Sequence, residues 1–302
     1  MNLHILLSYN PVLMSFGTIT VLFKQKKIIY YVSYVYYIYK TVKKIKILFH
    51  GDINMNEIKY LDKYLVYQPK VDLNTLEIVG LEALIRFLDP MSQNILNTEE
   101  IISSITSIDE MIGLTSEVFD RVILDLEKLE DLNCKVTVSI NMSSKELCNI
   151  NVERFLEKKL SKCKKYFNRL EIEITEKHEI KDSEIMRERI SLLKKWGINI
   201  SIDDLGSEFN QSDMLEEYRV DIVKVDKSMV KNFNLKKDEL NYIVNTCKEK
   251  NIKLLIEGIE SKEDFKRFLE LGFDFGQGYY FYKPMKLEEI LEKTNLLKSY
   301  PN

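Results

Sequence analysis

Ile198-Asn199-Ile200-Ser201-Ile202-Asp203-Asp204, followed after a polar interval by Ile222-Val223-Lys224-Val225, is the stretch from which the chain is best read. Both pieces are short runs rich in β-branched residues, the composition of a strand. A short helix is predicted near Ser212–Glu217, between the two runs. The unit is therefore strand, helix, strand, and each strand carries charge at its C-terminal end.

The same unit recurs in both directions along the sequence. Upstream, strands are expected at Tyr64–Pro69, Ile78–Leu84, Val136–Ile140 and Leu170–Ile174. Between them the pattern predicts helices over Thr98–Leu129, broken near Gly113, then Val152–Cys163 and Ser183–Lys195. Downstream come helix Lys237–Glu249, strand Ile252–Ile256, a helix capped by Ser261, strand Phe273–Tyr279 and helix Leu287–Leu297. Such β-α alternation argues for a parallel sheet covered by helices. About 250 residues of it is the usual size of a closed (β/α)₈ barrel. An open doubly wound sheet satisfies the same alternation.

Composition narrows the class. The chain has 302 residues, 45% of them hydrophobic, and a net charge of −3. No basic excess advertises a DNA or RNA polymer as partner. Residues 1–54 differ from the rest: seven lysines stand against one acid, a local charge of +6, which leaves −9 for the remainder. This Tyr-, Ile- and Lys-rich extension reads as a mis-assigned start ahead of Met55. The alternatives are a membrane anchor through Leu3–Phe23 with Lys24, Lys26 and Lys27 as its cytoplasmic flank, or a cytosolic segment. Residues 55–302 form a single domain in this reading, located in the cytoplasm or, with an anchor, at the inner membrane. Cys134, Cys148, Cys163 and Cys247 have no CxxC spacing and read as reduced thiols. His4, His50 and His178 do not pair at metal-ligand spacing, so any metal would take oxygen ligands.

Polar residues stand where the strands end: Glu82, Asn141, Glu173, Asp203 with Asp204, Lys224, Glu257 and Gln277. One carboxylate after a strand is ordinarily a solvated loop residue or a helix cap. Seven positions in register with seven strand ends are harder to attribute to chance. In a barrel all of them converge on one rim, where active sites lie. Carboxylates gathered there repel one another unless cations sit among them. Adjacent Asp203 and Asp204 suit a ligand pair shared by two ions, the arrangement that drives attack of water on a phosphodiester. Lys224 would supply a fixed cation beside the phosphate or the water, and Glu257 would orient or deprotonate that water.

These positions also carry a family resemblance. Tyr67-Gln68-Pro69 and Gly80-Leu81-Glu82-Ala83-Leu84-Ile85-Arg86 look like the opening signature of EAL-domain phosphodiesterases. The resemblance continues through Ser139–Ser143, Glu171–Glu176, Ile202–Gly206, Asp221–Asp226, Ile256–Glu260 and Gln277–Tyr279 with Pro284. It implies a TIM-like (β/α)₈ barrel with an antiparallel first strand, and hydrolysis of cyclic di-GMP to linear pGpG with a two-metal site of Mg²⁺ or Mn²⁺. It implies Glu82, Asn141, Glu173, Asp203 and Asp204 as metal ligands, and Lys224, Glu257 and Gln277 as catalytic. Gln68 and Arg86 would contact the dinucleotide, Glu176 would brace the loop after Asp203-Asp204, and the protein would be a homodimer. That loop departs from the family: Leu205-Gly206-Ser207-Glu208-Phe209-Asn210-Gln211 replaces Phe-Gly-Thr-Gly-Tyr-Ser-Ser. The departure removes no metal ligand, but it keeps open an alternative function as a cyclic di-GMP receptor with weak or no hydrolysis.

Overall fold

The computed structural model describes residues 58, 61–89, 92–175, 183–205 and 218–294. The extension 1–54, Glu176, the expected helix Ser212–Glu217 and all but the first residue of the loop Leu205–Gln211 lie outside them.

Eight strands close into a barrel in sequence order. They are β1 Asp62–Asp72, β2 Ile78–Leu88, β3 Thr137–Ser143, β4 Leu170–Thr175, β5 Asn199–Leu205, β6 Ile222–Val225, β7 Lys253–Glu257 and β8 Phe275–Gln277. β1 runs antiparallel to both neighbours, β2 and β8. All other pairs are parallel. The open-sheet alternative is thereby removed, and the barrel with its reversed first strand stands as expected.

Strand sequences explain the layering. In β4, Leu170, Ile172 and Ile174 alternate with Glu171 and Glu173, and all five are buried. Alternation sends the apolar set outward against the helices and the glutamates into the barrel. β3 and β5 repeat the pattern with Val138 and Ile140 against Ser139, and with Ile200 and Ile202 against Ser201 and Asp203.

The helices are α1 Thr98–Ser104, α2 Ile108–Asp131, α3 Ser144–Asn149, α4 Val152–Cys163, α5 Ser183–Lys195, α6 Lys227–Lys231, α7 Phe233–Lys250, α8 Lys262–Leu271 and α9 Leu287–Lys293. The expected break near Gly113 is not there. It falls at Ile105–Ser107, because Ser107 caps α2 by accepting the Glu110 N–H at 3.4 Å. Gly113 has open space around it and only lowers the helix propensity. Two short helices were not foreseen, α3 and α6. β3 begins one residue later than predicted and runs three residues further, up to the cap of α3. β8 is shorter than Phe273–Tyr279, because Gly278 turns away to pack on the backbone of Ile259. Ser261 caps α8 as predicted, accepting the Asp264 N–H at 3.1 Å. No helix among the described residues is long and apolar enough to cross a membrane.

Candidate active site

The C-terminal ends of β3 to β8 bring the predicted polar residues together around Lys224, joined by Glu82 from the middle of β2, which runs on to Leu88 instead of ending near Glu82 as expected. Its Nζ lies 2.6 Å from Glu173 Oε2, 2.7 Å from Glu257 Oε1 and 2.8 Å from Asp203 Oδ1, with Glu82 Oε2 at 3.8 Å. The lysine is 1% exposed. Glu82 is held from two further strands. Asn141 Nδ2 donates to its Oε1 at 3.0 Å, and Gln277 Nε2 donates to its Oε2 at 2.7 Å. Seven strands, β2 to β8, thus contribute to one continuous network that includes residues far apart in sequence.

Asp203 and Asp204 pose a geometric problem, since consecutive strand residues point to opposite faces. A bulge solves it. The β5–β6 register shifts between Ile202 and Leu205, and Asp204 adopts the left-handed region at φ 58°. Asp is one of the few side chains that tolerates this conformation. Oxygens of Asp203, Asp204 and Glu257 consequently lie within 4.8 Å of one another.

Burial dominates the electrostatics. It pushes the Glu82 carboxyl up, with Glu173 adding repulsion. Burial likewise raises Asp203 to about 7, aided by Glu257, Glu173 and Asp204 against the opposing Lys224. Glu257 is also raised by burial. Glu173 goes the other way: burial alone would raise it, but Lys224 and Lys70 outweigh burial and lower it to about 2. The Lys224 ammonium holds its proton well above the usual range, because four carboxylates outweigh its burial. The rim thus carries more acid than its lysines neutralise, an excess that a further cation would relieve.

The donor set suits a hard divalent cation. It consists of carboxylate and carboxamide oxygens, the ligands that such ions take. Gln277 Oε1 is buried and meets no hydrogen-bond donor among the described residues, an acceptor that a cation nearby would satisfy.

The remaining predicted residues stand apart from the carboxylate cluster. Gln68 pairs with Glu82 across the β1–β2 ladder, and its Nε2 donates to the Tyr282 carbonyl at 3.2 Å. Arg86 lies four residues beyond Glu82 on β2, and its guanidinium donates to the Ile85 carbonyl at 2.8 Å. Beneath the rim are two residues that the sequence reading did not select, Lys70 on β1 and Glu171 on β4. Lys70 Nζ lies 2.6 Å from Glu173 Oε1 and 2.9 Å from Glu171 Oε1. The signal was period two: Lys70 shares a strand face with Gln68, and Glu171 with Glu173. Among the described residues no disulfide involves Cys134, Cys148 or Cys247. The side chain of Cys163 is outside them.

Comparison with known proteins agrees with this fold. The family model described as EAL domain matches residues 57–284. A probable cyclic di-GMP phosphodiesterase, PdeN of Escherichia coli, is 27% identical over 241 residues, which is 78% of this chain and 46% of that protein. The chain spans about half the length, or less, of the curated relatives it matches. Among solved structures, the EAL enzyme Bd1971 in its cAMP- and cyclic-di-GMP-bound form superposes with a TM-score of 0.71 at 25% identity, covering 89% of this chain and 76% of that one. An EAL domain protein from Listeria monocytogenes gives 0.68 at 29% identity, covering 80% and 98%.

Proposed function

The chain belongs to the EAL domain family, and from that premise we propose that it hydrolyses cyclic di-GMP to linear pGpG with Mg²⁺ or Mn²⁺. The observation that carries this reading is the complete rim. Every acidic and amide position is present, and Lys224 links Glu82, Glu173, Asp203 and Glu257.

Glu82, Asn141, Glu173 and Asp203 would hold one metal, and Asp204 would help to hold a second beside Asp203. When bound, the metals polarise the phosphate and lower the pKa of the attacking water. The chain's own residues supply the rest. Lys224 orients the water, and Glu257, which lies against Lys224 Nζ, takes its proton. The water oxygen bonds to phosphorus as the P–O3′ bond breaks; the leaving 3′ oxygen takes a proton from solvent, and Glu257 returns its own to solvent. Gln277 and Asn141 fix both oxygens of Glu82. Arg86 is placed to meet a phosphate through its planar fork, and Gln68 to contact the dinucleotide.

Purified protein should convert cyclic di-GMP to pGpG with Mg²⁺ or Mn²⁺, followed by chromatography of the products, and EDTA should stop it. Glu82→Ala is expected to abolish turnover. Glu257→Gln should lower kcat by roughly 10²–10⁴-fold and leave substrate binding nearly intact. The altered loop at Leu205–Gln211 favours one second reading, a receptor for the same nucleotide. Tight binding without turnover in either metal would establish the receptor and refute the hydrolase. The same reading expects a homodimer, which light scattering of the purified protein would measure.

A further inference from the structure

We infer that Lys70 is a positioning residue for the site, acting through Glu173 from the floor of the barrel. The inference rests on the proposal that Glu173 is a metal ligand, and it assigns a role to a residue outside the rim.

Lys70 lies on β1, the reversed strand, opposite Gly80 of β2. A β-carbon at Gly80 would come 3.4 Å from Lys70 Cδ and 2.8 Å from Thr137 Oγ1. The glycine is thus required by Thr137, and the lysine stem packs beside it in ordinary contact. From there the side chain reaches across the interior to β4, three strands away in the barrel order. There its ammonium meets Glu173 Oε1 at 2.6 Å and Glu171 Oε1 at 2.9 Å. Lys70 is 2% exposed and Glu173 fully buried, so solvent screening does not weaken the contact.

The consequence lies in how Glu173 divides its two oxygens. Oε1 is taken from below by Lys70, and Oε2 faces Lys224 in the rim. A carboxylate is a flat group with a soft terminal torsion. Anchoring one oxygen from beneath fixes the plane and aims the other into the site. Without Lys70 the carboxylate would lose that anchor and turn. Partners of this kind, behind a metal ligand, typically contribute 10- to 100-fold in metal affinity. Lys70 also balances Glu171, which takes no part in the rim, and this second contact separates positioning from simple charge balance.

The test compares four proteins by Mn²⁺ titration, followed by electron paramagnetic resonance, with thermal unfolding measured alongside. Lys70→Met takes from buried Glu171 the cation it pairs with and leaves Glu173 to Lys224 alone, and it is expected to lose much stability. Lys70→Met with Glu171→Gln removes one cation and one anion together, so most of that stability should return. Glu171→Gln alone keeps Lys70 on Glu173. The inference expects Mn²⁺ affinity to fall on the order of 10- to 100-fold in the double variant and to stay within about twofold of the parent in Glu171→Gln. Parent-like affinity in the double variant would overturn it, as would an equal loss in Glu171→Gln. If the unaltered protein binds no Mn²⁺, the metal reading itself fails, and this inference with it.

Discussion

Gly258 and Gly278 show how tightly single residues are specified beside the rim. Gly258 follows Glu257 at φ 74°, and an added β-carbon would run into Lys227 Cβ. Gly278 follows Gln277, where a β-carbon would collide with the backbone of Ile259. Both glycines therefore allow a rim side chain to be delivered from a strand whose chain must turn at once. Gly258→Ala combines left-handed strain with a steric clash and is expected to cost about 1–3 kcal/mol. Thermal unfolding would show a clear loss, and an unchanged midpoint would contradict the close approach. At this scale the rim was legible, because a charged residue at the end of an apolar run is visible in one dimension. Lys70 was not legible as a participant. Its partners, Glu171 and Glu173, are about a hundred positions away, and only barrel closure brings them within reach.

Short elements set the angles of the site. α3 begins immediately after β3, and its capping box is complete: Ser143 Oγ accepts the Glu146 N–H, and Glu146 Oε2 accepts the Ser143 N–H at 2.9 Å. Glu146 also receives the Thr115 hydroxyl at 2.6 Å, tying β3 and α3 to α2. Asn141 lies two residues before the cap. Ser143→Ala should cost about 1 kcal/mol, the usual value of a cap. Glu146→Ala should cost more, since it leaves two hydroxyls and a half-buried amide with fewer acceptors. Equal losses in both variants, measured by denaturant unfolding, would show that the contact with Thr115 adds nothing. The Ser-x-x-Glu spacing is a known helix-start signal and was present in the sequence, yet the short helix is too brief for periodicity to reveal. The β5 bulge was not visible in that way. Asp203-Asp204 reads equally well as a turn, and only the shifted register with β6 shows both carboxylates meeting Glu257.

The whole molecule is closed by a narrow seam. β1 pairs with β8 through Val71–Gly276 and Asp72–Phe275. Farther along β1, the backbone of Met285 exchanges hydrogen bonds with Tyr67, at 2.7 and 3.0 Å. The segment after β8 thus extends the closure toward the rim, and Gln68 joins it through the Tyr282 carbonyl. Because the rim gathers carboxylates from β2, β4, β5 and β7, a bound cation should stabilise the folded barrel as a unit. Mn²⁺ at 100 times its dissociation constant is expected to add about 2.7 kcal/mol. For a domain of this size that raises Tm by roughly 5–10 °C over the protein in EDTA. Glu82→Ala should shrink the shift, and identical melting in Mn²⁺ and EDTA would count against a metal-binding rim.

The sequence by itself determined the β-α alternation, the residues at the strand ends and the family, because these are local patterns and ordered blocks that survive in one dimension. The tertiary structure alone decided which side of each strand is inside. Leu170-Glu171-Ile172-Glu173-Ile174 alternates like a strand with one face in water, yet both faces are buried. Only closure of the sheet turns the polar face inward. There charged groups must pair with one another across the barrel, which is why Lys70, Glu173 and Lys224 meet.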